Sequence, residues 1–182
     1  MRTFKKSLEM VADENHFLFS RNELKIFLAG KNEANVNMIL SRAVKDGFLE
    51  RVCKGIFILA KVQFNASLVL PLVASKMRSG SLNYISMESV LAEKSVISQQ
   101  LMNWLVVVTG GRSGVIGCGR FGSVEFIHTE RPIGKVAQHL SVDGETAMLK
   151  ADVFLAYRDM VLAHRKTLGL VDRSMMGEYV HE

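Results

Sequence analysis

Apolar residues recur at helical spacing through the first third of the chain. Phe4, Leu8 and Val11 fall at i, i+4 and i+7, which predicts a short amphipathic helix. The run Ser20-Arg21-Asn22-Glu23 has the spacing of a capping box, with Phe19 before it and Leu24 after it placed to form a hydrophobic staple. Leu24, Phe27 and Leu28 supply the buried face of the helix that follows, and Gly30 ends it. Asn32 is suited to cap a third helix. Val36, Ile39, Leu40 and Ala43 line one side of that helix, Asn35, Asn37, Ser41, Arg42 and Lys45 line the other, and Gly47 stops it. The period then changes to that of a strand. Residues 48–52 and 56–59 are apolar-rich runs separated by Cys53-Lys54-Gly55, a β-hairpin signal.

Two helices joined by a short turn with a glycine, then a hairpin, is the order of a winged helix-turn-helix. In that fold the second helix of the pair enters a DNA major groove. The residue types suit the task. Asparagine can pair with adenine through two hydrogen bonds and arginine with guanine, while lysine and arginine on the wing can neutralise phosphates. Arg21, Lys31, Asn35, Asn37, Ser41, Arg42, Lys45, Arg51 and Lys54 are therefore the candidate DNA-binding residues. A winged helix that contacts protein instead, with its polar residues merely solvated, is the alternative.

Charge sharpens this picture. The 182 residues carry a net charge of +5. Residues 1–62 hold 11 Lys+Arg and 7 Asp+Glu, a net of +4; the remainder holds 12 and 11, a net of +1. The excess sits where the DNA-binding pattern sits. The length suits two small domains, expected at residues 1–62 and 63–182. The fold class expected is α+β: an N-terminal winged helix followed by a mixed α/β C-terminal domain with a small antiparallel sheet.

In the second part, Asn65 caps an expected helix through Leu68, Leu72, Ala74 and Met77 to about Gly80, with Pro71 kinking it or marking its start. Residues 82–85 read as extended, and Ser86 as the cap of a helix with Val90, Leu91 and Lys94. Strands are expected at 104–109, 114–117 and 123–128. Met148, Val153, Leu155, Met160 and Leu162 give a long helical pattern after Gly144, and 172–179 a short helix or loose end. Tyr157-Arg158-Asp159 and His164-Arg165-Lys166 read as a solvated polar helix face.

Little points to an enzyme. Gly117, Gly119 and Gly122 match the G-x-G-x-x-G dinucleotide fingerprint, which works only between a strand and a helix N-terminus. The alternating residues 123–128 read instead as a strand, so the glycines are expected at turns of an antiparallel meander. A helix starting at Gly122 would favour a nucleotide-binding enzyme, a strand the regulator. No catalytic residue, metal site or cofactor is expected. Cys53 and Cys118 lack framework spacing, which points to a reducing, cytoplasmic setting. No apolar run approaches the roughly 20 residues of a membrane span, and the basic N-terminus lacks the apolar core of a signal peptide.

The segment from Phe19 to Leu59 resembles the N-terminal winged helix of the AbiE-type antitoxins, the AbiEi family of bacterial regulators in type IV toxin–antitoxin systems. The resemblance is carried by Phe19-Ser20-Arg21-Asn22-Glu23-Leu24, by the helix from Asn35 to Gly47, and by Phe48 to Phe57. The last matches the family's wing pattern, Leu-x-Arg-(Ile/Val)-x-(Arg/Lys)-Gly-(Ile/Val/Leu)-(Tyr/Phe). Residues 84–91 resemble the family's segment after the first C-terminal helix, and the resemblance fades after about residue 130. It implies a repressor that binds inverted repeats in its own promoter. It also implies that the C-terminal domain counters a cognate nucleotidyltransferase toxin, whether or not through direct contact. A plain winged-helix regulator without a toxin is the remaining alternative; its C-terminal domain would sense a ligand or mediate dimerisation.

Overall fold

The computed structural model describes residues 1–98, 102–172 and 174–176. The chain divides into two units, Met1–Val69 and Leu70–Glu182. The fold is mixed α+β, with one antiparallel and one mixed sheet.

In the first unit α1 (Arg2–Val11) buries Phe4 and Leu8 but leaves Val11 exposed, because the helix ends there and the chain turns extended at Ala12. A strand that the sequence pattern did not announce, β1 (Leu18–Ser20), leads directly into α2 (Arg21–Ile26). The junction is the capping box: the Ser20 hydroxyl accepts from the Glu23 backbone N–H, and the Glu23 carboxylate accepts from the Ser20 N–H at 2.6 Å. The helix stops at Ile26, earlier than the pattern suggested. A turn with Gly30 at φ +80° then leads to α3 (Glu33–Lys45), capped by the Asn32 side chain. β2 (Leu49–Cys53) and β3 (Ile56–Leu59) form the hairpin, closed by Lys54 and Gly55. Gly55 takes φ +83°, a conformation that tight hairpin turns demand. β1 pairs antiparallel with the other edge of β3, giving the order β1-β3-β2. Phe4, Leu8, Phe19, Leu24, Val36, Leu40, Phe48 and Phe57 share one core. Each such side chain contributes about 1.5–3 kcal/mol by leaving water.

At the end of the first unit the Asn65 side chain caps a 3-10 turn that runs into α4 (Val69–Met77), and the second unit begins within that helix at Leu70. Pro71 is the third residue of α4. Its missing N–H falls among first-turn donors that have no partner within the helix, so Pro71 marks the start and costs no hydrogen bond. β4 (Asn83–Ile85) and α5 (Glu88–Glu93) follow. Ser86 is not the cap of α5. Met87 occupies that position without a side-chain bond, and the Ser86 hydroxyl is turned inward.

The sheet differs most from the expected small antiparallel one. β5 (Trp104–Thr109), β6 (Gly114–Gly117) and β7 (Ser123–His128) lie at the expected positions but do not form a meander. β7 inserts between the other two, parallel to β5 and antiparallel to β6, so β6 acts as the return stroke. With β8 (Leu140–Val142) and β9 (Leu149–Ala151) the mixed sheet has six strands in the order β6-β7-β5-β4-β9-β8. A 3-10 turn lies within the glycine motif, and β7, not a helix N-terminus, follows it, so the dinucleotide-binding context is absent there. A Cβ on Gly122 would lie 1.8 Å from the Asn103 carbonyl oxygen, so close backbone approach explains that glycine.

The expected long helix after Gly144 is shorter, because Met148 precedes β9 and only α6 (Val153–Leu162) is helical. Residues 174–176 are helical; the rest of the expected terminal segment, residue 173 and those from 177 onward, lies outside the described residues.

The expected solvated polar face is also corrected. Asp159 is 1% exposed and accepts from Ser86 Oγ at 2.6 Å and from the Arg131 guanidinium. Arg165 lies beyond α6, where it donates to Glu88 (2.7 Å) and through both terminal nitrogens to Glu125 (2.6 and 2.9 Å). That bidentate bond holds the Glu125 carboxyl below its usual range and raises Arg165 above its own.

Candidate nucleic-acid interface

α3 owes its placement to Val36, Leu40 and Ala43, which are buried at i, i+4 and i+7. With about 100° per residue the opposite side must face away from the core. Ser41, Arg42 and Lys45 are exposed there, and their side chains make no hydrogen bond or ion pair among the described residues. Asn35 and Arg42 share one edge of this face. Asn37 lies on the opposite edge, roughly 160° round the helix from Asn35. Lys31 is exposed in the turn before α3.

The hairpin adds two more of the candidates. Lys54 is exposed at its tip. Arg51 sits on β2 instead of at the tip, with its guanidinium 5.4 Å from the centre of the Phe57 ring. The backbone N–H of Arg21 donates to the Gly55 carbonyl at 2.7 Å, which ties the hairpin turn to the start of α2. Lys54, Arg21 and the α2-facing edge of α3 are thereby gathered into one region.

Within that region the candidates are not all free. Arg21 donates to Asn37 Oδ1 through Nε (3.2 Å) and Nη2 (3.0 Å), and its Nη2 also meets the Glu33 carboxylate. Lys25 binds the other oxygen of Glu33. The bonds from Lys25 and Arg21 lower the Glu33 carboxyl from 4.5 to about 2. Glu33 also stands in the first turn of α3, where the helix dipole favours a negative charge. The cluster holds two cations and one anion, a net of +1.

Sequence reasoning missed Lys25 and Glu33 as partners in this cluster. The signal was present, since Glu33, Asn37 and Ser41 recur every fourth residue along one edge. It also missed Ala34 and Met38, which fall on the outward crest of α3; Met38 is 43% exposed. A small or flexible apolar side chain there can meet a thymine methyl group.

Among the described residues no group of three His, Cys, Asp or Glu could hold a metal ion, and no helix is long and apolar enough to cross a membrane. No family model matches the chain, and no curated protein matches it. Among solved structures, the chain is similar in fold to the RV2827C protein from Mycobacterium tuberculosis. The TM-score is 0.55 at 12% sequence identity, over 87% of this chain and 59% of that one. The chain thus spans less than two thirds of that protein's length, and the likeness is one of fold.

Proposed function

We propose that the first unit is a winged helix that binds double-stranded DNA, and that the chain is an AbiE-type antitoxin and autorepressor without catalytic activity. In this reading α3 enters the major groove of inverted repeats in its own promoter, and the Lys54 hairpin is the wing on the adjacent backbone. The observation that carries the reading is the outward face of α3. Ser41, Arg42 and Lys45 are solvent-facing and unengaged among the described residues, on a helix whose other face is committed to the core. The charge excess of +4 in the same unit supports it. The second unit, near neutral, takes the role of countering a nucleotidyltransferase toxin in the cytoplasm.

Titration of the full chain against its promoter duplex and a scrambled duplex tests the DNA-binding half. Preference for the promoter is expected, with affinity falling by about 0.9 log unit per log unit of salt for each phosphate neutralised. Absence of binding to either duplex at low salt would remove the reading. Co-expression with the neighbouring gene tests the antitoxin half: rescue of growth from a toxic nucleotidyltransferase is expected. DNA binding without any such toxin would leave a plain regulator.

A further inference from the structure

The second unit contains a cavity whose chemistry the DNA-binding reading does not use. It measures about 570 Å³, within the size range of small-molecule sites. It lies beside the ends of the parallel strands β5 and β7, at Val108 and at Ile127 to Thr129, and opens to solvent with α6 along one side through Arg158, Asp159 and Leu162.

Two features show that this place is built. The first is its polar floor. Asp159 is held by Ser86 from 73 positions earlier, and it holds Arg131 in turn. Arg131 is further fixed by Thr129 Oγ1 (3.3 Å) and the Tyr84 hydroxyl (3.3 Å). Yet its Nη1 is buried and has no hydrogen-bond partner among the described residues. Buried N–H donors are nearly always paired, so this one calls for an acceptor oxygen. The second feature is Met87 in the cavity wall. It is 2% exposed and takes φ 54°, ψ −133°, a region that side chains other than glycine rarely enter. Strained backbone of this kind gathers at ligand clamps.

The charges define the ligand. Arg131, Lys135 and Arg158 line the cavity together with Glu130 and Asp159, three cations against two anions, a net of +1. A monoanion balances that charge, and a dianion exceeds it. Met87, Val108, Ile127 and Leu162 supply an apolar wall. We infer that the second unit binds a small monocarboxylate with an apolar body, its carboxylate on the cationic side of the cavity that Arg131 shares with the exposed Lys135 and Arg158, and its body against that wall. The inference stands apart from the DNA-binding reading, because every residue in it belongs to the second unit.

Calorimetric titration of the full chain tests this with three probes: octanoate, octanol, and suberate, the eight-carbon dicarboxylate. Octanoate is expected to bind one per chain, at least tenfold tighter than octanol or suberate. Lys135→Ala and Arg158→Ala alter exposed residues, so they should keep the fold; each should weaken octanoate about tenfold, the usual worth of a charge-assisted contact. Arg131→Lys retains a cation beside Asp159 but loses the planar donor edge, and should lose octanoate binding while melting as a folded protein. Failure of octanoate to bind would overturn the proposal. So would octanol or suberate binding as tightly as octanoate, or octanoate binding unchanged in Lys135→Ala, Arg158→Ala and Arg131→Lys.

Discussion

Arg21, the first residue of α2, grips the side-chain oxygen of Asn37 in the second turn of α3 with two of its guanidinium nitrogens. The bond links the two helices of the proposed DNA-binding pair. It also occupies the Asn37 acceptor, leaving its amide N–H groups for other partners. Adenine recognition by asparagine needs both ends of the amide. Asn37 can read a base in that way only if Arg21 lets go, as it would on turning to a phosphate. Arg42, on the other edge and without a partner among the described residues, needs no such release. Arg42→Ala is therefore expected to cost about 1–3 kcal/mol on the promoter duplex, and Asn37→Ala less. Anisotropy titrations at one fixed salt would check this ranking; equal affinity of Arg42→Ala and wild type would exclude Arg42 from base contact.

Glu33 restrains two cations beside the same surface. Glu33→Gln is expected to free Arg21 and Lys25, tighten binding to every duplex and steepen the salt dependence by about one to two phosphates' worth. Because the Glu33 carboxyl titrates near 2, the restraint should hold unchanged from pH 8 down to pH 5. The sign for stability follows from the same shift. The folded value lies below the unfolded one, so the contribution is present above about pH 4.5 and fades as pH falls towards 2. An affinity that Glu33→Gln leaves the same or lowers would show that Glu33 does not compete with DNA.

Lys54 at the hairpin tip is expected to act on phosphate alone. Lys54→Ala should weaken promoter and scrambled duplexes alike and flatten the salt slope by about one unit. A loss confined to the promoter would assign Lys54 to base reading.

The capping box at Ser20 should be worth about 1 kcal/mol to the first unit, as such caps usually are. Ser20→Ala removes the acceptor for the Glu23 N–H and leaves α2 fraying at the end that carries Arg21. Denaturant unfolding would measure the loss. A change well below 0.5 kcal/mol would mean that the β1 pairing, and not the cap, fixes the start of α2.

The Asp159 cluster should dominate the second unit. Asp159→Ala leaves the Arg131 guanidinium and the Ser86 hydroxyl without their acceptor, at a cost of about 3 kcal/mol or more. Glu125 adds an acid sensitivity there. Arg165 lowers its folded pKa, so its contribution is present above about pH 4.5 and is lost as pH falls through the lowered value. Glu125→Gln should therefore flatten the fall in melting temperature between pH 5 and pH 3.

Local spacing along the chain settles the short-range features. The Ser20–Glu23 box, the Asn32 cap, the Val36, Leu40 and Ala43 stripe and the Lys54-Gly55 turn are each settled within a few residues, because a cap or tight turn closes its bonds with near neighbours. The positions of β5, β6 and β7 were legible for the same reason: alternation and flanking glycines are local signals.

Features that depend on partners far along the chain emerge with folding. β1, β8 and β9 are three residues each, too short to carry a period, and they exist as strands because β3, β4 and β9 offer edges to pair with. Nothing in residues 104–128 says that β7 passes inside β6; that follows from which edge of β5 is open once β4 has taken the other. The polar residues show it most plainly. Ser86 carries the side chain of a helix cap and Asp159 and Arg165 those of a wet helix face, yet folding brings Ser86, Arg131 and Asp159 together, and likewise Glu88, Glu125 and Arg165. A buried charge is stable only beside its counter-charge. Here the counter-charges lie 28 to 77 residues away, beyond the reach of any local pattern.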